Sequence, residues 1–295
     1  MAVEPFRCGT IALIGRPNVG KSTLLNALLG QKLSITSHKP QTTRQSLRGV
    51  LTTGTAQFVL VDTPGFQTRH RGALNRAMNR AVRTALEAVD AAMLVVEAER
   101  FGAEDRALLK LTPAGLPLLL VVNKIDTTRP AGLLAFLKKA AGEAEFDEIV
   151  PVSASRGKGL DELLGALRGH LPAQPAIHPE DDLTDRNERF LAAEFLREKL
   201  FRLLGEELPY SIGVEIEKFE EQRGMRRIHA SIVVGKEGHK AIIIGSGGGK
   251  LKQIATAARL DMETLFGGKV YLQVWVKVRS GWTDDEAALR RMGYG

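Results

Sequence analysis

The chain has 295 residues, of which 44% are hydrophobic and 25% charged, a composition typical of a soluble globular protein large enough for two domains. No N-terminal signal peptide is predicted, the apolar run 116–122 is too short to cross a bilayer, and one cysteine, Cys8, excludes an intrachain disulfide. We therefore expect a cytoplasmic protein with Cys8 in its core. The formal net charge is +7, but residues 226–259 hold seven basic residues and one acidic residue, which favours a local polyanion site.

The first predicted strand, residues 10–14, leads into a loop bracketed by two glycines. Residues 15–22 are Gly-Arg-Pro-Asn-Val-Gly-Lys-Ser, and a strand, glycine loop and helix in this order are typical of a phosphate-binding P-loop. Glycine lets successive N–H groups face one concavity, and the helix N-terminus adds partial positive charge there. Lys21 is predicted to reach the β- and γ-phosphates and Ser22 to help hold Mg²⁺. The predicted nucleotide contacts in this stretch are Gly15, Arg16, Pro17, Asn18, Val19, Gly20, Lys21, Ser22 and Thr23.

Two polar segments without periodicity follow the P-loop. Residues 38–44 form the first, and we expect them to fold over the γ-phosphate so that a threonine hydroxyl completes the Mg²⁺ shell. Thr42 and Thr43 are both candidates, and we favour Thr43. Residues 67–72 form the second segment. Both segments are expected to order around GTP and to relax after hydrolysis.

The buried-strand pattern of residues 57–61 ends in Asp-Thr-Pro-Gly. A carboxylate at Asp62 is placed to bind Mg²⁺ through water, and Gly65 can bring its N–H close to a γ-phosphate. Phe66 follows, where Ras-like enzymes place a water-positioning glutamine, so no side chain at that position can orient a nucleophile. The predicted contacts here are Asp62, Thr63, Pro64, Gly65 and Phe66. The metal ligands are predicted to be Ser22, Thr43 and Asp62, and the catalytic residues Asn18, Lys21, Thr43 and Gly65.

Two further motifs follow later strands and point to guanine. Asp126 can accept hydrogen bonds from the ring N–H and the amine of guanine, a donor pair that adenine lacks. Asn123 can bond the purine edge, the Lys124 stem can pack over the ring, and a backbone N–H of residues 153–155 can bond the guanine oxygen. The predicted base contacts are Asn123, Lys124, Ile125, Asp126, Ser153, Ala154 and Ser155.

Strand and helix patterns alternate through the first 171 residues. Strands are predicted near residues 10–14, 47–53, 57–61, 90–96, 116–122 and 148–152, with helices near 21–29, 73–87, 103–111, 131–141 and 159–170. This alternation predicts an α/β domain, doubly wound, over residues 1–171, with its ligand at the carboxyl ends of the strands. Residues 172–183 contain several prolines and are predicted to be a semi-extended linker.

The last part, residues 184–295, has a different pattern. A helix is expected to begin near residues 184–185, and strands are predicted at 212–216, 228–234, 240–244 and 270–278, with a helix at 250–266. This predicts an α+β domain with one open sheet face. The Gly-x-x-Gly of residues 245–248 is typical of a KH domain, whose loop presents backbone N–H groups to single-stranded RNA, although its interior lacks the usual Lys or Arg. The candidate RNA-binding residues are Lys236, Ile244, Gly245, Ser246, Gly247, Gly248, Lys250 and Lys252.

Together with residues 40–44 and the tail at 275–286, these motifs make the chain similar to the Era family of bacterial GTPases over nearly its whole length. The resemblance implies a P-loop GTPase domain followed by a KH domain of type II, with GTP/GDP and Mg²⁺ bound. It implies a monomer that grips the 3′ region of small-subunit ribosomal RNA and acts in maturation of the small ribosomal subunit. It also implies peripheral association with the inner face of the cell membrane.

Phe66 predicts slow intrinsic hydrolysis. In GTPases that resemble this one, an asparagine at the place of Asn18 helps to bind K⁺ beside the phosphates, so K⁺ or RNA is expected to stimulate the reaction. Two alternatives stay open. One is a GTPase of tRNA modification, which shares the P-loop asparagine but would need a suitable cysteine. The other is an RNA-binding protein that uses GTP only to set its shape.

Overall fold

The computed structural model describes residues 5–39, 41–68, 73–205 and 208–282. The chain forms two compact units. The first comprises Met1–Ser34, Thr43–Arg71 and Met78–Asp185, and the second comprises Ile35–Thr42, Gly72–Ala77 and Arg186–Gly295. Residue 40, residues 69–72 of the second predicted polar segment, and residues 283–286 of the tail motif lie outside the described residues, so the expectations for them stay predictions.

The first unit is built on a six-stranded sheet in the order β2-β3-β1-β4-β5-β6. The strands are β1 Arg7–Ile14, β2 Leu47–Thr52, β3 Ala56–Asp62, β4 Ala91–Glu97, β5 Leu118–Asn123 and β6 Glu148–Pro151. Only β2 runs antiparallel to its neighbour β3. Every residue of β3 and β5 is buried, which explains their continuous apolar sequences.

Five helices accompany this sheet, α1 Lys21–Leu29, α2 Ala73–Glu87, α3 Ala103–Leu109, α4 Pro130–Ala140 and α5 Leu160–His170. Each lies in a segment where the sequence predicted a helix, and the α/β prediction for this part of the chain is confirmed. Parallel pairing brings distant motifs to one edge of the sheet. Leu13 pairs with Asp62, and Val122 pairs with Pro151. The P-loop therefore leaves the sheet beside Asp62, and Asn123 leaves it beside residues 153–155.

Residues of the predicted linker are hydrogen-bonded to strands of the first unit, with bends at residues 177–178 and a turn at residues 180–181. The side chain of Gln57, fully buried on β3, accepts from the backbone N–H groups of Ile177 and His178 at 2.9 Å each. The N–H of Cys8 donates to the carbonyl of Pro172 at 3.1 Å. Cys8 is buried, as expected, and burial raises the pKa of its thiol.

The second unit has a three-stranded sheet in the order β7-β8-β9, with β7 antiparallel to β8 and β8 parallel to β9. Its strands are β7 Ile212–Gln222, β8 Met225–Val234 and β9 Lys269–Val278, and its helices are α6 Glu188–Leu203, α7 Glu237–Ile244 and α8 Gly249–Phe266. One face of the sheet buries Ile228, Ala230 and Ile232, while α8 buries Ile254 and Met262. The helices cover this face, which confirms the α+β prediction.

Two sequence expectations for this unit were wrong. Residues 240–244 belong to helix α7, not to a strand. The three consecutive isoleucines favour a strand by propensity, but only Ile243 is buried, whereas Ile242 is 56% exposed. Packing of α7 against α8 and β9 outweighs that propensity.

The second error concerns the start of α6, which begins at Glu188 and not near residues 184–185. Asn187 caps it by accepting from the N–H of Phe190 at 2.9 Å. Thr184 instead donates to the carbonyl of Arg48, and Asp185 pairs with the Arg48 guanidinium, so both belong to the first unit.

No helix among the described residues is long and apolar enough to span a membrane.

Candidate functional site

The P-loop packs tightly around the side chain of its lysine, Lys21. Gly20 has φ +100°, and a Cβ atom there would lie 2.3 Å from Nδ2 of Asn123. Lys21 begins α1 and is only 6% exposed, and its Nζ donates to the carbonyls of Gly15 at 3.1 Å and Arg16 at 3.0 Å. Burial lowers the pKa of Lys21 to about 8, although the carboxylates of nearby acidic residues oppose this shift. An anion bound in the loop would raise the pKa of Lys21 again, because it would stabilise the ammonium form.

Arg16 and Gly65 fix the flanks of the loop. Arg16 Nε donates to Asp105 at 2.9 Å, a buried carboxylate that also caps the start of α3. A Cβ on Gly65 would lie 2.8 Å from the Cα of Pro17, so only glycine fits where this residue passes the loop. Phe66 donates its N–H to the Gly15 carbonyl, and its ring is buried in the core beside Ile14 and Leu86. The Phe66 side chain points away from the loop and cannot orient water there.

The three predicted metal ligands lie together around the buried carboxylate of Asp62. Its Oδ2 accepts from Ser22 Oγ at 2.6 Å and from Thr43 Oγ1 at 3.5 Å, and the two hydroxyls lie 3.0 Å apart. A third hydroxyl, that of Ser34, donates to the same oxygen at 2.7 Å. Burial raises the pKa of Asp62, while the positive charge of Lys21 and the three hydroxyls hold it down.

The sequence did not identify Ser34, which is 2% exposed. Asn26 holds it in place, because Oδ1 of Asn26 accepts from the N–H of Ser34 at 2.8 Å and Nδ2 donates to its carbonyl at 2.8 Å. No motif marks this residue, and the only available signal was its place between two apolar residues, Leu33 and Ile35. Thr42 has a different partner, since its hydroxyl donates to the carbonyl of Lys39 at 2.7 Å.

The Asp62 cluster fits Mg²⁺. Oδ1 of Asp62 is buried and has no hydrogen-bond partner, although the other carboxylate oxygen accepts three hydroxyls. Hard oxygen donors of this kind are the ligands that Mg²⁺ prefers. Among the described residues, no group of three or more His, Cys, Asp or Glu side chains could hold a metal ion. An ion beside Asp62 would therefore need further oxygens from phosphate or water, as is usual for Mg²⁺ in phosphoryl-transfer sites.

The second cluster joins the three loops that follow β1, β5 and β6. Asn123 is 2% exposed, its Nδ2 donates to the carbonyl of Val19 at 2.9 Å, and its Oδ1 accepts from the N–H of Ala154 at 3.1 Å. Asn123 thus positions both the P-loop and residues 153–155. Asp126 accepts from Ser153 Oγ at 2.5 Å, and this hydrogen bond lowers the pKa of Asp126. Its carboxylate is therefore an ionised acceptor at the mouth of the site.

Residues 35–42, which include most of the first predicted polar segment, are held within the second unit. Thr36 N–H donates to Oε1 of Glu198 at 3.0 Å, and Arg202 Nε donates to the Thr36 carbonyl at 2.9 Å. Glu198 is fully buried on α6 and pairs with Lys199 and Arg202. Burial alone would lower the pKa of Lys199, but its ion pairs with Glu198 and Asp261 raise it.

All but one of the predicted RNA-binding residues lie at the turn between α7 and α8. Gly245 has φ +69°, and a Cβ there would lie 2.7 Å from the Cβ of Lys250, whereas Gly248, with φ +78°, faces open space. Ser246 and Gly247 are exposed at the tip of the turn. Ile244 is the last residue of α7, and Lys250 and Lys252 lie in the first turn of α8. Lys236 lies at the other end of α7, about 12 Å along the helix axis from the turn.

Comparison with known proteins identifies both units. Residues 10–124 match the family model described as 50S ribosome-binding GTPase, and residues 207–283 match the KH domain model. GTPase Era of Chromobacterium violaceum is 56% identical over 294 residues, covering 99% of both chains. GTPase Era of Nitrosomonas eutropha is 54% identical over 295 residues, covering 100% of both. The chain belongs to the Era family of GTPases.

Solved Era structures have the same fold. A variant of Aquifex aeolicus Era bound to GDP·AlF₄⁻ is 37% identical, with a TM-score of 0.94 and coverage of 98% of this chain and 100% of that one. An Era complex with MgGDPNP and nucleotides 1506–1542 of 16S ribosomal RNA is 38% identical, also with a TM-score of 0.94, covering 98% and 99%. The arrangement of a P-loop domain followed by a KH domain is therefore that of the Era family.

Replacing Ser34 by alanine tests the support that this serine gives to Asp62. We expect Ser34→Ala to lower the free energy of unfolding by about 1.5–3 kcal/mol, the usual value of a hydrogen bond to a charged group. Urea unfolding followed by circular dichroism measures the change. Ser155→Ala is the matched control, because its hydroxyl has only a 3.4 Å contact with Ser153. Equal stability of the two variants would contradict the role given to Ser34.

Proposed function

We propose that this protein is a GTP-hydrolysing switch that binds the 3′ region of small-subunit ribosomal RNA through its KH domain and acts in maturation of that subunit. The observation that carries the proposal is the match to Era proteins over 99% or more of the chain, with 16S ribosomal RNA nucleotides bound in one solved relative. The protein is a GTPase that uses GTP, GDP and Mg²⁺. We assign the GTPase part to residues 1–171, the linker to 172–183 and the KH part to 184–295.

The Asp62 cluster supports a specific arrangement at the phosphates. Lys21 would place its ammonium against the β- and γ-phosphates, and Ser22, Thr43 and Asp62 would hold Mg²⁺. The bound ion would neutralise charge that develops on the phosphate oxygens. Gly65 would direct its backbone N–H at the γ-phosphate, a position that a side chain would block by clashing with Pro17. No side chain at residue 66 takes part, which supports slow intrinsic hydrolysis.

Asp126 supports selection of guanine. An ionised carboxylate accepts from both the ring N–H and the amine of guanine, and the hydrogen bond from Ser153 keeps Asp126 ionised. Asn123 links the P-loop to residues 153–155 by one hydrogen bond to each of these segments. Its amide is already engaged with these two segments, so we assign it a positioning role.

Asp126→Asn tests this assignment. The NH₂ group of the new asparagine would face the amine of guanine, so two hydrogen-bond donors would oppose each other. Xanthine has a carbonyl in place of that amine, which can accept a hydrogen bond from the asparagine. We expect GTP affinity to fall about 100-fold, equivalent to roughly 3 kcal/mol, and the affinity for xanthosine triphosphate to rise. Calorimetric titration with both nucleotides measures the shift. Asp181→Asn, an exposed aspartate of the linker, is the control, and an Asp126 variant with normal GTP affinity would exclude the assignment.

K⁺ is proposed as a further cofactor because of Asn18. This residue is exposed on the P-loop at φ +64°, so its side chain is accessible to an ion beside the phosphates. We expect single-turnover GTP hydrolysis to be at least about tenfold faster in K⁺ than in Na⁺, since a cation placed at the developing charge stabilises the transition state. Asn18→Ala should be slow in both salts. Equal wild-type rates in the two salts would refute the proposal.

The turn between α7 and α8 supports RNA binding by the KH domain. Exposed backbone at residues 246–247 lets phosphates approach closely, and Lys250 and Lys252 supply positive charge beside it. Lys236, at the other end of α7, would meet the RNA only farther along the chain of nucleotides. The missing basic residue inside the turn is thereby replaced by lysines on its flanks. Family membership favours this function over a tRNA-modifying GTPase, and the GTPase relatives favour hydrolysis over simple binding. Cytoplasmic location, the monomeric state and peripheral membrane contact stay predictions.

Gly248 allows a matched test of the RNA site. Aspartate and asparagine both tolerate its left-handed backbone and both cap helices well, so each variant should fold. We expect Gly248→Asp to weaken binding of a 16S 3′-end RNA at least about tenfold through repulsion of phosphate, and Gly248→Asn to stay within about threefold. Fluorescence anisotropy at several salt concentrations measures this. If both variants bind like the wild type, the RNA does not contact this turn.

A further inference from the structure

The sheet face of the second unit that points away from the helices carries two exposed aromatic side chains. Successive residues of β9 alternate between the faces, and Tyr271 and Trp275 lie on the open one. Tyr271 is 44% exposed and Trp275 is 38% exposed. Large aromatic side chains this accessible on one strand form a patch of the kind that binds partners. We call Arg227, His229, Tyr271 and Trp275 the aromatic surface.

The rings of this surface are held in fixed positions. His229 of β8 lies between the two β9 aromatics, with ring centroids 6.4 Å from Tyr271 and 5.5 Å from Trp275, both in edge-to-face geometry. The Arg227 guanidinium lies 5.6 Å from the Tyr271 ring centroid. A cation, an imidazole and two larger rings thus form a continuous row along two strands. A partner that stacks on them meets rings that are already ordered.

Charge is divided unevenly across this sheet. Strands β8 and β9 contain four Arg or Lys residues and no Asp or Glu, whereas β7 contains four Glu and one Lys. On β7, Glu215 pairs with Arg279, Glu217 with Lys277 and Glu220 with Lys218. Lys269 interacts electrostatically with Glu263 of α8, whereas Arg227 forms no ion pair within the described part of the chain. The guanidinium of Arg227 therefore adds positive charge beside the Tyr271 ring, which suits a polyanion with stackable rings.

The aromatic surface adjoins the proposed RNA groove. β9 is the edge strand of the sheet, and α7 and α8 both pack against its other face. The turn at residues 245–248 lies on the helix side of the sheet, and Trp275 lies on the open side. An RNA strand that leaves the turn along β9 would reach Trp275 by passing around the edge of that one strand. We propose that the aromatic surface is a second contact for single-stranded RNA, on which one or two bases stack. This inference rests on the proposed RNA-binding function.

RNAs of two lengths distinguish binding at the aromatic surface from binding in the groove. A KH turn clamps about four nucleotides, so a four-nucleotide RNA fills only the groove and a twelve-nucleotide RNA reaches beyond it. We expect Trp275→Leu in the full chain to weaken binding of the longer RNA about tenfold, the range of one base–aromatic stack. Binding of the short RNA should change less than twofold. Trp275→Phe, which keeps an aromatic ring, should recover most of the affinity for the longer RNA.

Two controls keep the outcomes distinct. Gly248→Asp should weaken the binding of both RNAs. If it does so while Trp275→Leu binds both RNAs normally, the stacking proposal alone is overturned. If Gly248→Asp binds both RNAs normally, the RNA does not contact the turn at residues 245–248, and the proposed KH binding site fails. Equal loss of both RNAs in Trp275→Leu would also overturn the proposal, since the change would then act on the groove. Should Trp275→Leu unfold at lower urea than the wild type, Tyr271→Leu replaces it with the same expected difference between RNAs.

Discussion

The structure of the nucleotide site depends on one buried carboxylate. Asp62 is fully buried, and isolation from water would make its negative charge costly without nearby positive charge and donors. Lys21, also buried, supplies the charge, and three hydroxyls converge on one oxygen while the other stays without a partner. Burial disfavours the charged form of both Asp62 and Lys21, and each of these opposite charges stabilises the other across the P-loop. The folded chain therefore already holds a carboxylate, an ammonium group and three hydroxyls in fixed positions, largely removed from water.

The sequence predicted the fold of the first unit well because its central strands, β3 and β5 above all, are buried and therefore continuously apolar. It also predicted the residues around Asp62, since Ser22, Thr43 and Asp62 lie in recognisable motifs. It missed Ser34 because nothing local marks that serine. Its contact with Asp62 depends on Asn26, eight residues earlier in the chain. The strand predicted at residues 240–244 failed for a related reason. Three isoleucines favour a strand locally, and packing against α8 and β9 decides otherwise.

The two glycine turns, the P-loop and residues 245–248, differ in what makes each of them need glycine. In the P-loop, Gly20 lies so close to Asn123 that any side chain would displace the residue that joins three loops. In the turn before α8 only Gly245 has a close neighbour, Lys250, whereas Gly247 and Gly248 face open space and are restricted by their positive φ angles alone. The P-loop therefore has one geometry enforced by packing. The geometry of the second turn is set by its backbone conformation, which leaves room on its outer side.

Two hydroxyls that are distant in sequence reach the same carboxylate oxygen. Ser34 donates to Oδ2 of Asp62 at 2.7 Å, and Thr43 lies 3.5 Å from it. Ser34 is held by two hydrogen bonds to Asn26 of α1, whereas Thr43 has a shorter contact, 3.0 Å, with the hydroxyl of Ser22. The contact of Ser34 with Asp62 therefore depends on α1, while the position of Thr43 depends on the serine that follows the P-loop lysine.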